Sequence, residues 1–254
     1  MNFFAYRTAA ERYAKYRPYF HPLVIEKVQA YLHLQRPLSF ALDVGCGAGQ
    51  STIALKQIAD LVVGADISAE MLDFAERKPG IQYIQAAAEE LAIRGNSSDL
   101  LTTSLAYHWF NQERFLSEAQ RTLKDGAWLV IHNNGFSGQM KENSEFEQWV
   151  TRVYVNRYPT PPRNSIPLTQ EIAHEYGFNF AYQEEYQYEV QFTVEELSAY
   201  LTTQSNVISA TEQGNEKVED VYLWLVAQIE PFFHANRATF VFDGYIWYLK
   251  KSMG

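Results

Sequence analysis

The chain has 254 residues, 47% of them hydrophobic and 20% charged, a globular composition with enough core to need no disulfide or metal staples. A net charge of −9 argues against wrapping bare nucleic acid or an anionic bilayer. One cysteine excludes an internal disulfide framework and an all-cysteine zinc site in one chain. The six histidines show no H-E-x-x-H or paired spacing, so no metal is expected. The apolar runs fall short of a membrane span. The first residues interleave charge with aromatics and carry no secretion signal, so a cytoplasmic location is expected. Aromatic residues reach 15%, which suits a pocket lining and broad core contacts equally.

In chain order, residues 2–17 have helical patterning that ends at Pro18, and a second helix runs from Pro22 to Leu34. The apolar stretch after Pro37 is a short strand entering a glycine turn, and residues 50–58 resume a helix. Strands are expected at 61–68, 81–86, 99–106 and 127–133, with helices opening at Ser68 and Asn111 and a turn at 124–126. Nearly continuous apolar strands separated by single helices predict an α/β fold, a parallel sheet covered on both faces. After residue 133 the rhythm breaks. Residues 134–167 read as an inserted cap, with helix at 142–156 and a proline-stiffened loop at 159–167. A helix at 168–176 stopped by Gly177, a strand after it, a capping-box helix at 194–203, a long helix from Glu216 to His234 and a closing strand complete the chain. No linker interrupts it, which favours a single domain over 1–254, with 1–35 as an N-terminal helical flap and about 134–175 as the cap.

The most informative segment is Asp43-Val44-Gly45-Cys46-Gly47-Ala48-Gly49, between a strand and a helix. Glycines there let a ligand approach the backbone and permit positive φ. The following strand ends at Asp66, nineteen residues past Gly47, the spacing that sets an acid beside a bound ribose. The helix after it opens at Ser68, so Asp66 as a mere helix cap is the alternative reading. No Gly-Lys-Ser/Thr follows, and Gln50 replaces the third glycine of the dinucleotide fingerprint. Asp43 would repel a phosphate but could accept hydrogen bonds through water from an ammonium. The residues lean toward a positively charged, non-phosphorylated nucleoside.

On Asp43–Gly49 the chain resembles motif I of the class I S-adenosylmethionine-dependent methyltransferases. The resemblance implies a Rossmann-like fold, a mostly parallel central sheet with helices on both faces and an antiparallel final strand. It implies S-adenosyl-L-methionine as cofactor, with Gly45, Cys46, Gly47 and Gly49 in the loop, Asp66 at the ribose and Ile67 beside adenine. Met71 joins this set, and Ala88 and Glu89 match the place where adenine's edge is read. The segment SLAYHWF at 104–110 resembles small-molecule methyltransferases related to the trans-aconitate enzyme. That likeness places Ser104 and Leu105 along the methionine portion, with His108 and Trp109 facing the transfer site. ERYAKYRPYF resembles the family's N-terminal aromatic-Arg-Pro segment, which implies Tyr16 and Arg17 near the methionine end. The chain departs from the pattern in two places. Ala86 and Ala87 replace a Gly-Asp pair, and Thr202 and Gln204 stand where relatives often carry arginine and tryptophan.

Methyl transfer from a sulfonium requires alignment and exclusion of water, and a base only when the acceptor must lose its proton early. His108 is the leading candidate for that base, with Tyr16 and His132 behind it, and a purely structural pocket histidine is the competing reading. Cys46 has no local base and reads as loop lining. Arg163 could reach an anionic substrate or lie solvated. The expected acceptor is a small molecule, with no nucleic acid or membrane partner and no oligomeric state specified. An NAD-linked oxidoreductase and a non-catalytic S-adenosylmethionine-binding protein are the alternatives.

Overall fold

Strand β1 (Leu38–Val44) is the hub of the sheet, and the computed structural model describes it together with the rest of residues 6–163, 167–212 and 214–253. Its last four residues are buried, and it pairs in parallel with β2 (Ala59–Asp66) on one side and β4 (Ser98–Ser104) on the other. β3 (Ile81–Gln85) lies parallel outside β2, and β5 (Leu123–Met140) parallel to β4. With β6 (Phe178–Phe192) and β7 (Ala238–Lys251) the order is β3-β2-β1-β4-β5-β7-β6. The chain thus runs outward from β1 through β2 and β3, then returns to β1's other side at β4. The turn after β1 sits at this reversal, where open α/β sheets bind ligands beyond the carboxyl ends of their strands.

The last two strands run antiparallel. Lys141 N donates to Thr239 O, Ser137 Oγ to Val241 O and Asn133 Nδ2 to Tyr245 Oη, so numbers rise on β5 as they fall on β7. Gln187 pairs with Asp243, and Glu184 with Tyr248, in the same opposed sense. The mixed sheet agrees with the expected architecture.

Helices α1 (Arg7–Tyr16), α2 (His21–Tyr31), α3 (Gln50–Leu55) and α4 (Ala69–Asp73) fall where the pattern places them. Residues 2–5 of the first expected helix lie outside the described residues. Ser68 caps α4 by accepting from Met71 N, and Asn111 caps α5 (Gln112–Thr122) by accepting from Arg114 N. Helix 142–156 resolves into α6 (Glu145–Trp149), a π turn at Val150–Tyr154 and α7 (Val155–Arg157). α8 (Gln170–Glu175) gives way to Gly177 at φ +77°. Thr193 and Glu196 form the anticipated capping box on α9 (Val194–Leu201). α10 (Ser205–Glu212) was not foreseen. α11 (Val218–Ile229) closes in a 3-10 turn at Pro231.

Two details of the pattern reading are corrected. Residues 124–126, expected as a turn, lie inside β5, whose pairing with β4 slips between Ser98↔Leu123 and Leu100↔Trp128. Gly126 at φ +75° absorbs the extra residues as a bulge. Residues 134–140, expected to open the cap, prolong β5. Asn164–Ile166, within the expected proline loop, lie outside the described residues.

The chain divides into two compact units. The larger comprises Tyr19–Asn133, Arg163–Glu185 and Tyr245–Gly254; its core includes Leu42, Val44, Leu101, Phe115, Leu129 and Phe178. The smaller gathers Met1–Pro18, Asn134–Pro162 and Tyr186–Gly244. Its core is aromatic, with Phe146, Trp149, Tyr200, Phe240 and Phe242 buried and Phe136 packed against them. Much of the aromatic excess therefore fills a core, where rings bury large areas and meet edge to face or offset.

Candidate cofactor site

The site belongs to the larger unit and begins with Asp43, the penultimate residue of β1. Its side chain is wholly buried, and Oδ2 accepts from Ser51 Oγ and Thr52 Oγ1, both at 2.6 Å. Oδ1 accepts from Thr102 Oγ1 at 3.2 Å. Burial raises its pKa above the ordinary carboxylate value, and the three hydroxyls oppose that shift. Asp43 therefore pins the end of β1 to the first turn of α3 and to β4.

Between those anchors the loop turns on Gly45, Gly47 and Gly49, at φ +70°, +54° and +80°. A Cβ on Gly45 would lie 2.5 Å from Ala106 Cβ and 2.9 Å from Phe110 Cζ, so side chain and backbone both exclude other residues. A Cβ on Gly47 would meet Met71 Cε at 2.8 Å. The amides of Gly45 and Cys46 donate to Ala65 O at 2.8 and 3.1 Å. Burial, then the nearby carboxylates of Asp43 and Asp66, push the Cys46 thiol well up, so it lines the loop as a protonated, buried group.

Asp66 closes the unit at the end of β2. Oδ2 accepts from Gly47 N at 2.8 Å and Oδ1 from Ser68 N at 2.9 Å. The acid thus both accepts from the backbone at the approach to α4 and ties the glycine loop. Burial raises its pKa, opposed by these amides. The next residue, Ile67, is 60% exposed despite being apolar, while Met71 is buried beneath the loop. Ala88 is buried, and Glu89 Oε1 accepts from Asn111 N at 2.7 Å.

At the end of β4, Ser104 is buried with no hydrogen-bond partner for Oγ among the described residues. Leu105 stands at φ +58°, a left-handed conformation rare for a leucine, while its amide donates to His132 O. The turn Tyr107–Trp109 follows, with the His108 ring 4.7 Å from that of Trp109. Burial, then Arg163, lowers the His108 pKa to about 4, so the imidazole is neutral at pH 7. Arg163 lies exposed over the Trp109 ring at 5.4 Å.

Tyr16 and Arg17 belong to the smaller unit. There Arg17 donates to Thr203 O at 2.9 Å and stacks on Tyr13 and Tyr200, 4.7 and 5.4 Å from their ring centroids. The sequence reading missed Ser51, Thr52 and Thr102 as partners of Asp43, although two hydroxyls directly after the loop were a visible sign. Among the described residues there is no His/Cys/Asp/Glu group able to hold a metal, and no helix long and apolar enough to cross a membrane.

The profile of a methyltransferase domain family matches residues 42–131, from the end of β1 to β5. A Dictyostelium discoideum protein named as a methyltransferase is 24% identical over 212 residues, 82% of this chain and 80% of its own length. A Saccharomyces cerevisiae protein named as an S-adenosylmethionine-dependent methyltransferase is 33% identical over 139 residues, 50% of this chain and 48% of its own. These matches support an S-adenosylmethionine-dependent methyltransferase. Its fold agrees with a solved Anaeromyxobacter dehalogenans structure named as a type II methyltransferase, at TM-score 0.68 and 21% identity over 90% of this chain and 97% of that one. S-adenosylmethionine is accordingly this methyltransferase's cofactor. The residues fit it: the glycine loop leaves no room for side chains, an acid is fixed beside it and an apolar residue stands exposed next to the acid.

Proposed function

We propose that this methyltransferase transfers the methyl group of S-adenosylmethionine to a small-molecule acceptor, using a cofactor site drawn from the larger unit. The observation that carries the site is the 2.8 Å bond from Gly47 N to Asp66 Oδ2, which locks loop and acid together. In this reading Gly45, Cys46, Gly47 and Gly49 form the backbone wall, and Asp43 holds that wall in shape. Asp66 keeps lone pairs for ribose hydroxyls, Ile67 and Met71 flank the adenine, and Ala88 and Glu89 meet its edge. Ser104 and Leu105 border the methionine end. The bound cofactor supplies an electrophilic methyl on a sulfonium, which needs alignment more than acid–base help. His108, neutral at pH 7, accepts a hydrogen bond or a proton from the acceptor. The net charge of −9 favours a small molecule over nucleic acid.

Asp66→Ala tests the site. Calorimetric affinity for S-adenosylmethionine is expected to fall by roughly 1.5–3 kcal/mol, the scale of hydrogen bonds to a charged group. An affinity unchanged within a few tenths of a kcal/mol would remove Asp66 from the cofactor and leave it as loop tie and cap.

A further inference from the structure

A second group of polar side chains in the larger unit is bonded to nothing described so far. Ser104 and His132 are register partners on the parallel strands β4 and β5, so their side chains stand side by side on one face of the sheet. Thr102, two residues before Ser104, points to that same face and bonds Asp43. The His21 ring, from the first turn of α2, lies 6.2 Å from the His132 ring at an interplanar angle of 76°. Phe20 stacks on His21 at 4.2 Å and meets His132 edge-on at 6.3 Å, giving the group an apolar wall. His21, His132 and Ser104 are 5%, 3% and 7% exposed. Among the described residues, Ser104 Oγ and the Nδ1 atoms of both histidines have no hydrogen-bond partner. A buried polar atom left unpaired costs about 1–3 kcal/mol, and three gathered where β4 ends alongside β5 mark a place built to bond something else.

We infer that Ser104, His132 and His21 form an acceptor subsite that binds an uncharged, hydroxyl-bearing molecule. The inference rests on the methyl-transfer reading above and names the class of acceptor. A hydroxyl both donates and accepts, as a serine and a neutral imidazole also do. Burial alone depresses His132, and burial with His132 depresses His21, so both rings are neutral at pH 7 and no cation acts on them. A carboxylate would bring an uncompensated charge into this face, and an ammonium could only donate. The arrangement differs from that at His108, where Arg163 is close enough to act on the imidazole.

The test compares two probes that share a ring and differ in head group, 4-methylphenol and 4-methylbenzoate. Each is titrated into the full chain carrying isotope-labelled histidine, with ring signals assigned by single substitutions. 4-Methylphenol is expected to shift the His21 and His132 signals saturably, while 4-methylbenzoate at equal concentration leaves them in place. His132→Gln and Ser104→Ala are expected to weaken the phenol response at least fivefold. A benzoate response equal to or stronger than that of the phenol overturns the inference. So does silence at both histidines up to the solubility limit of the phenol. Should either variant fail to fold, the wild-type comparison decides alone. S-adenosylhomocysteine is titrated separately by calorimetry: its failure to bind counts against the methyl-transfer reading, whereas the histidine signals report the subsite with or without it.

Discussion

The carboxyl edge of the larger unit presents two polar clusters in opposite states. Around β1 and β2 every carboxylate oxygen of Asp43 and Asp66 is engaged by a protein donor, at 2.6 to 3.2 Å. Around β4 and β5, Ser104 Oγ and two imidazole Nδ1 atoms are buried and have no hydrogen-bond partner among the described residues. The first cluster spends its hydrogen bonds on holding a loop rigid. A ligand bound there, as proposed, would meet a preformed wall and have little ordering left to do. The second keeps its bonding capacity for a partner and bears the cost of buried polarity meanwhile. In the proposed reading, rigid on the cofactor side and unspent on the acceptor side is the division a transferase needs when one cofactor must meet a particular second substrate.

The largest effect should come from breaking the satisfied cluster at its centre. Asp43→Ala strands the buried hydroxyls of Ser51 and Thr52, while Thr102 keeps its bond to Leu42 O, and urea denaturation is expected to show a loss of about 3 kcal/mol. A midpoint unchanged from wild type would mean that the hydroxyls find other acceptors and that the loop does not hang on Asp43. Gly47→Val forces a branched residue into φ +54° against Met71 Cε. The stability cost is expected near 2 kcal/mol, since the end of Met71 can move, with cofactor affinity falling further. Normal calorimetric affinity in a folded Gly47→Val variant would take the loop out of the site.

The unspent cluster should show itself in pH dependence. His132 titrates at about 3 in the folded chain and near its ordinary 6.5 when unfolded. As pH falls below 6.5 the unfolded chain takes up the proton first, so the neutral histidine's contribution is complete above that value and drains away below it. The slope is about 1.4 kcal/mol per pH unit for each such histidine. Asp43 and Asp66, with raised pKa values, act in the opposite sense at lower pH, so the informative quantity is variant minus wild type. His132→Gln is expected to flatten the stability profile between pH 6.5 and 5, and parallel profiles would show that His132 titrates alike in the folded and unfolded chain. The smallest effect belongs to Ile67, which packs against little at 60% exposure. Ile67→Ser should leave the urea midpoint within about 0.5 kcal/mol while lowering cofactor affinity by about 1 kcal/mol. A loss of stability without a loss of affinity would reverse that assignment.

Periodicity and glycine chemistry made β1 to β5, the loop and Asp66 legible before any coordinates. Local signals were also sufficient for the caps at Ser68, Asn111 and Thr193, because a cap is made by residues two or three apart. The bulge at 124–126 was misread as a turn, since Lys-Asp-Gly carries the same local signature in either setting. Only pairing with β4 distinguishes them. α10 went unseen because its sequence has a weak apolar stripe, and its helicity depends on burying Val207 and Ile208.

What the sequence determined by itself was the αβ order, the glycine loop and the acid tied to it, the last two fixed by contacts within one βαβ unit. Tertiary structure alone decided what those residues do. Asp43 became a buried anchor because Thr102, 59 positions away, comes alongside it on β4. His21 and His132 are separated by most of the larger unit's sheet, and no spacing rule relates them. They meet because α2 is packed against the face onto which β5 projects His132. Such long-range pairings come from the packing of helices on a sheet, a property of the whole hydrophobic pattern that no local motif spells out.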